Sequence, residues 1–181
     1  MDQKVILVDE NDREIGLEEK LKAHQNGGRL HRAISVFVFN KEGKIMMQRR
    51  AESKYHEGGK WSSTCCSHPM PGELPGNAAH RRLGEEMGFD CELKEAGSFI
   101  YKAELDRGLT EWEYDHFFVG IHEGDPKPNK EEVGGWRWES IDEIRRGIEK
   151  NPHEYSNFFL AFFERAIREM APILKGIGDG A

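Results

Sequence analysis

An α/β (α+β) fold, a mixed β-sheet flanked by helices, is what this sequence predicts, and three observations predict it. Strand-like segments come first, one strongly helical segment interrupts them near the middle, more strands follow, and two helices close the chain. Two strand pairs are joined by turns short enough for hairpins, at Lys41-Glu42-Gly43 and Asp106-Arg107-Gly108. Finally, a chain of 181 residues, 37% hydrophobic and 33% charged, suits one globular domain with a sizeable core.

The elements follow in order. Val5-Ile6-Leu7-Val8 reads as a short strand, Asn11-Asp12 as a turn, and Arg13 to Gly16 as a returning segment. Leu17 to His24 has helical content that Gly27-Gly28 closes. Arg32 to Asn40, carrying Ile34, Val36, Phe37, Val38 and Phe39, is a strong strand, and Lys44 to Arg49 pairs with it. Ala51 to Ser62 reads as a loop, and the prolines and glycines between Pro69 and Gly76 exclude a helix interior. Asn77 to Met87 reads as a helix with Gly88 as its C-cap. Strands are expected over Leu93 to Leu105, Thr110 to Ile121 and Glu132 to Glu139, the last with Trp136 and Trp138 on one face. Ser140 and Glu143 make a capping box for a helix to about Lys150, and Tyr155 to Met170 forms the last helix. Residues 1–172 are expected to form a single domain, with 173–181 as a flexible tail.

Composition narrows the function. A net charge of −7 argues against general nucleic-acid binding but leaves room for a local cluster of cations around one phosphorylated ligand. The longest apolar runs are too short to span a bilayer, so no membrane partner is expected. The first ten residues resemble neither a secretory signal nor a transit peptide. Three cysteines, two of them adjacent, make a poor disulfide framework and point to a reducing cytoplasm.

Three fragments carry chemistry. The first is Cys66-Ser67-His68, a thiol in a loop position two residues from an imidazole. The second is Glu111-Trp112-Glu113, whose carboxylates share one face of a strand and can reach one ion. With His24, His31 and His68 they would suit Zn²⁺, Mn²⁺ or Fe²⁺ in a near-octahedral set; the same residues also fit surface histidines beside an acidic strand edge. The third is the helix ending Arg81-Arg82-Leu83-Gly84-Glu85-Glu86-Met87-Gly88. From Ser67 to Phe89 it resembles the Nudix signature at Glu73, Arg81, Leu83, Glu85, Glu86, Gly88 and Phe89, departing at Ser67 (Gly in the signature) and Arg82 (Glu). In that signature carboxylates gather Mg²⁺ against a diphosphate; Arg82 replaces one such ligand with a phosphate clamp. An ordinary charged helix with pairs Arg81–Glu85 and Arg82–Glu86 is the alternative.

Together with Arg29-Leu30-His31-Arg32-Ala33, Gln48-Arg49-Arg50-Ala51, Lys54 and Trp61-Ser62-Ser63-Thr64-Cys65-Cys66-Ser67-His68-Pro69, these fragments resemble type I isopentenyl-diphosphate delta-isomerase from about Leu17 to Phe159. The resemblance implies a Nudix-like core and interconversion of isopentenyl and dimethylallyl diphosphate. It implies His24, His31, His68, Glu111 and Glu113 as ligands of one Zn²⁺ or Mn²⁺. Mg²⁺ would be held by Glu86 and the backbone carbonyl of Cys66, with no flavin. Cys66 and Glu113 would be the catalytic pair, assisted by Tyr101. Lys20, Arg50, Lys54 and Arg82 would bind the diphosphate. Protonating an alkene and removing a neighbouring proton needs an acid, a base and a dry pocket, and Trp61 and Phe158 would offer π faces to the cation formed, Phe158 standing where the family often has Trp. The expected partner is a small diphosphate, bound by a monomer or weak homodimer. Cys65 and Cys91 read as core residues. Two rival functions remain at this stage. A Nudix hydrolase would not need Cys66 or the Glu111/Glu113 pair, and a binding module would show no turnover.

Overall fold

The computed structural model describes residues 3–178, with side chains to 174. Strand β1 (Lys4–Val8) pairs antiparallel with β2 (Glu14–Glu19), and a single turn, α1 (Lys20–Ala23), leads into β3 (His31–Phe39). After β4 (Ile45–Arg50) come two short strands, β5 (Trp61–Ser62) and β6 (Cys65–Ser67), and the central helix α2 (Pro75–Met87). The long hairpin β7 (Leu93–Glu104) and β8 (Thr110–Ile121), then β9 (Val133–Glu139), α3 (Ile141–Lys150) and α4 (Asn157–Gly178), complete the chain.

β3 organises the sheet. Its whole length pairs parallel with β8, from His31↔Glu113 to Phe39↔Ile121. Its other edge is shared in succession by β1 at His31, β6 at Ile34 to Val36 and β4 at Phe39. All remaining ladders are antiparallel, so the sheet is mixed, as its order of elements predicts. Every second residue of β3 faces α2: Ile34, Val36 and Val38 pack with Ala78, Ala79, Leu83 and Met87. On the opposite face Phe37, Phe99 and Phe117 meet Phe158, Phe159, Phe162 and Phe163 of α4. The polar members of that face, at the end of the sheet where β3 begins, are the chemistry-bearing ones.

Local signals act as the sequence suggests in several places. Gly88 ends α2 at φ 74°, and a Cβ there would run into the Lys127 carbonyl. The Ser140 hydroxyl accepts from the Glu143 amide while the Glu143 carboxylate accepts from the Ser140 amide, closing the capping box. Both tryptophans of β9 pack against the α2 layer.

Four expectations need correction. Leu17 to Glu19 are strand, not helix, because β1, buried from Val5 to Val8, offers them a pairing edge that outweighs local propensity. The Cys66 segment is a short strand held to β3, with Ser35↔Cys66 in register. The last helix begins at Asn157 rather than Tyr155, since Tyr155 bridges to Trp61. It also runs through Pro172 to Gly178, eight residues beyond its expected end. Of the expected tail, residues 173–178 are thus helical and 179–181 lie outside the described residues.

Candidate active site

One cavity of about 250 Å³ opens where β3, β7 and β8 meet the loop before β5 and the first turn of α4; Lys20, Arg50, Lys54, Cys66, His68, Arg82, Glu86, Tyr101, Glu111, Glu113 and Phe158 line it. Eleven residues singled out from the sequence therefore converge, and the ladders explain how. The parallel register sets His31 beside Glu113, and the hairpin register sets Tyr101 on the other side of the same carboxylate.

At one end lie the imidazoles. His24 caps α1 and donates from Nδ1 to the Lys20 carbonyl at 2.6 Å; His31 donates from Nδ1 to the Arg29 carbonyl at 2.7 Å. These bonds turn both Nε2 lone pairs inward, the usual device for fixing a ligand tautomer. His31 Nε2 lies 3.1 Å from His68 Nε2, and Glu113 Oε1 lies 2.9 Å from His68 Nε2 and 3.5 Å from His31 Nε2. Two nitrogens and one oxygen cannot all be satisfied by the few protons among them. Adjacent ligands of a cation with bonds of about 2.1 Å lie about 3.0 Å apart, so the spacing fits a transition-metal centre. His24 Nε2, buried and without a partner, completes a set of four with donor atoms within 4.8 Å of one another. Burial lowers His24 to about 4 and His68 to about 3, leaving both imidazoles neutral and able to ligate at neutral pH.

Glu111 stands slightly apart from these four. Its Oε2 and the Oε2 of Glu113 both accept from the Tyr101 hydroxyl, at 3.2 and 2.6 Å. Burial opposes charge on Glu113, but the His31 and His68 imidazoles beside it overcome that and hold its carboxyl well below the usual range. Burial and then the Glu113 charge push Glu111 well up, so the two carboxylates do not both ionise without a neutralising cation.

Cys66 sits beside the carboxylates among hydroxyls: Ser63 Oγ at 2.9 Å and Ser35 Oγ at 3.3 Å from its sulfur. Ser35 in turn donates to Asp115 at 2.6 Å. Burial first, and the Asp115 charge next, push the Cys66 thiol up to about 12, so it rests protonated. Cys65, by contrast, is fully buried in the α2 layer.

Cations gather at the other end. Lys20 is lowered to about 8, by burial first and then by the charges of Lys54, Arg50 and Arg82. Mutual repulsion of this kind marks a place built for an anion. Arg50 is braced by the carbonyls of His56 and Glu57 at 3.1 and 3.2 Å, and Lys54 pairs with Glu132. Arg82 pairs with Glu85 and Glu86, each at 2.6 Å, and reaches Glu132 at 3.5 Å. Glu86 also accepts from the Gln48 amide at 2.9 Å. Both helix pairs expected from the sequence form, Arg81–Glu85 at 3.1 Å included. Glu73 is held by two bonds from Arg81, both 2.7 Å, and does not line the cavity.

Trp61, expected to offer a π face to the substrate, is likewise not brought into the cavity. The Arg137 guanidinium covers one face of its ring at 3.9 Å, and the residue lies outside the lining. Sequence reasoning in turn missed Tyr55, His56, Ser35 and Asp115. The last two extend the strand alternation, Asp115 by one step from Glu113 and Ser35 by two steps from His31 by way of Ala33, and that period could have found them. No pattern marks Tyr55 or His56, which lie in an irregular loop.

A NUDIX domain model matches residues 29–162. An Aromatoleum aromaticum protein, isopentenyl-diphosphate delta-isomerase 2, is 50% identical over 181 residues, covering all of this chain and 94% of its own length. The isopentenyl-diphosphate delta-isomerase of Pectobacterium atrosepticum is 46% identical over 162 residues, 90% of each chain. Among solved structures, DR0079 of Deinococcus radiodurans superposes with a TM-score of 0.75 at 18% identity, over 90% of this chain and 98% of its own. A MutT protein of Methanosarcina mazei does so with a TM-score of 0.61 at 23% identity, over 77% and 94%. At those identities the structural matches speak for the fold alone.

Proposed function

The chain belongs to the Nudix-fold isopentenyl-diphosphate delta-isomerase family, whose reaction interconverts isopentenyl and dimethylallyl diphosphate, and we propose that it performs this reaction with Cys66 and Glu113 as the proton-transferring pair. The observation that carries the reading is the convergence, in one cavity, of a protonated thiol, a tyrosine-braced carboxylate and a separate cluster of cations. The cluster of Lys20, Arg50, Lys54 and Arg82 would grip the diphosphate and hold its leaving-group bond away from the reacting carbons. The five-carbon chain would then lie toward Cys66 and Glu113, with Phe158 as an apolar wall. One of the pair delivers a proton to the terminal alkene carbon, while the other removes a proton from the carbon across the developing cation. In the reverse direction each residue takes the opposite part. The Tyr101 hydroxyl keeps the Glu113 carboxylate in one orientation through both steps, and the enclosing wall keeps water from capturing the cation.

The His24, His31, His68, Glu111 and Glu113 donors fit Zn²⁺ or Mn²⁺, which when bound supplies the positive charge that lets both carboxylates ionise. Glu86, with the Cys66 carbonyl, would serve a substrate-linked Mg²⁺. This reading makes the enzyme divalent-metal-dependent and flavin-free. Three free cysteines and an acidic net charge favour a reducing cytoplasm and a small-molecule partner rather than nucleic acid, with the protein acting as a monomer or weak homodimer. Among the described residues no helix is long and apolar enough to cross a membrane.

Cys66→Ala tests the assignment. Loss of a proton-transferring group should lower kcat by roughly 10³-fold or more, while Cys65→Ala costs far less. Equal losses, or an active Cys66→Ala protein, would remove Cys66 from the mechanism.

A further inference from the structure

We propose that His56, which is not among the five ligands implied by the family resemblance, is a sixth protein ligand of the transition-metal ion. The inference rests on reading the histidine cluster as a metal centre. Besides His24, His31, His68 and Glu113, a second group of donors, His24, His56 and Glu111, has its ligand atoms within 4.8 Å of one another. His24 is common to both groups. Its Nδ1 is committed to the Lys20 carbonyl, so only Nε2 can bind, and one nitrogen lone pair serves one ion. Because they share that one lone pair, the two groups cannot each hold an ion through His24; a single ion would draw His56 in on the side where Glu111 enters.

The placement of His56 supports this. The residue is 4% exposed, and its Nδ1 has no hydrogen-bond partner. Its Nε2 lies 3.9 Å from Glu111 Oε1, beyond hydrogen-bond reach. That separation falls between the roughly 3.0 and 4.3 Å that two ligands of one ion show in neighbouring and opposed positions. A buried ring nitrogen without a partner is costly unless something else takes it up. The ring is also held in place: it stands edge-on to Tyr55 at 4.2 Å between centroids, and its backbone carbonyl accepts from Arg50. Its six ligands would fill an octahedral sphere and leave no position for water.

The test uses Mn²⁺ as the probe, with two readouts that do not depend on turnover. Titration of the metal-stripped protein should give about one tight Mn²⁺ per chain, and water-proton relaxation should detect no exchanging water on the ion. His56→Phe keeps a ring against Tyr55 and removes both nitrogens. It should weaken Mn²⁺ binding by about tenfold or more and raise the relaxation rate by the contribution of one bound water. His56→Leu, which offers no donor atom, should show the same added water even if the Phe variant folds poorly. Unchanged affinity and relaxation in both variants would overturn the proposal. So would weaker binding without added water, which would mean that His56 acts only by positioning Glu111. If the unmodified protein binds no Mn²⁺ and His68→Gln changes nothing, the metal-centre reading itself falls, and the role of His56 falls with it.

Discussion

Arg82→Ala should raise KM for isopentenyl diphosphate while leaving kcat comparatively intact. Arg82 lines the cavity, its side chain 15% exposed, and in the free protein it bonds Glu85 and Glu86 at 2.6 Å. Burial works against its charge, yet Glu86 more than compensates and raises its pKa, so it is a permanent cation across the working pH range. A hydrogen bond to a charged partner is worth about 1.5–3 kcal/mol, which at about 1.4 kcal/mol per decade corresponds to a KM increase of about 10- to 100-fold. The fall in kcat should be smaller than for Cys66→Ala, because the arginine is placed to touch the anchor and not the reacting carbons. The same change leaves Glu86, 3% exposed, with Gln48 as its remaining donor. Loss of one partner of a buried pair costs about 3–5 kcal/mol, so the variant should melt earlier without ligand and recover with Mg²⁺ and diphosphate. Arg82→Glu should be worse than Ala through repulsion of the diphosphate. Steady-state kinetics and thermal melts read both effects. An unchanged KM in Arg82→Ala would refute the clamp and reduce the arginine to a partner of Glu86 on the helix.

Further outcomes follow from the same geometry. Tyr101→Phe removes the one hydroxyl shared by Glu111 and Glu113; kcat should drop about 10- to 100-fold with KM little changed, and an equal rise in KM would show that the tyrosine acts on binding instead. His68→Ala should release the transition metal, measured by elemental analysis, whereas Glu86→Gln should mainly weaken Mg²⁺-dependent substrate binding; full metal occupancy in the first variant would exclude His68 as a ligand. Lys20 titrates near 8 rather than 10.5 in the folded protein, so its charge is present below that pH and lost above it. The free-enzyme profile of kcat/KM should therefore decline above about pH 8, and Lys20→Met should start lower and lack that step. Because burial disfavours the ammonium, its destabilising effect on folding is full below pH 8 and is relieved between 8 and 10.5. A decline that persists in Lys20→Met would assign the step to another group.

Much of this architecture was legible from periodicity. β7, β8 and β9 fall within a residue of their expected bounds, because alternation and bounding turns define them locally. The same alternation put Glu111 and Glu113 on one face, and the resemblance supplied the imidazoles. What periodicity could not supply was register: the parallel β3–β8 ladder puts His31, and the antiparallel β7–β8 ladder Tyr101, beside Glu113. The second half of β2, Leu17 to Glu19, was hidden because its pairing depends on β1, a tertiary effect that local propensity does not contain. The placement of Trp61 was hidden for a related reason, since Arg137, which covers one face of its ring, lies 76 positions away. His56 carried no signal at all. Its significance comes from distances to His24 and Glu111, which no spacing in the chain encodes.

Incubation with isopentenyl diphosphate and Mg²⁺ in D₂O tests the central claim most directly. Proton delivery to the terminal alkene carbon predicts dimethylallyl diphosphate carrying deuterium in a methyl group, formed by the unmodified protein and abolished in Cys66→Ala, with the diphosphate intact. Release of inorganic phosphate or isopentenyl monophosphate, or product formed without deuterium from solvent, would contradict it.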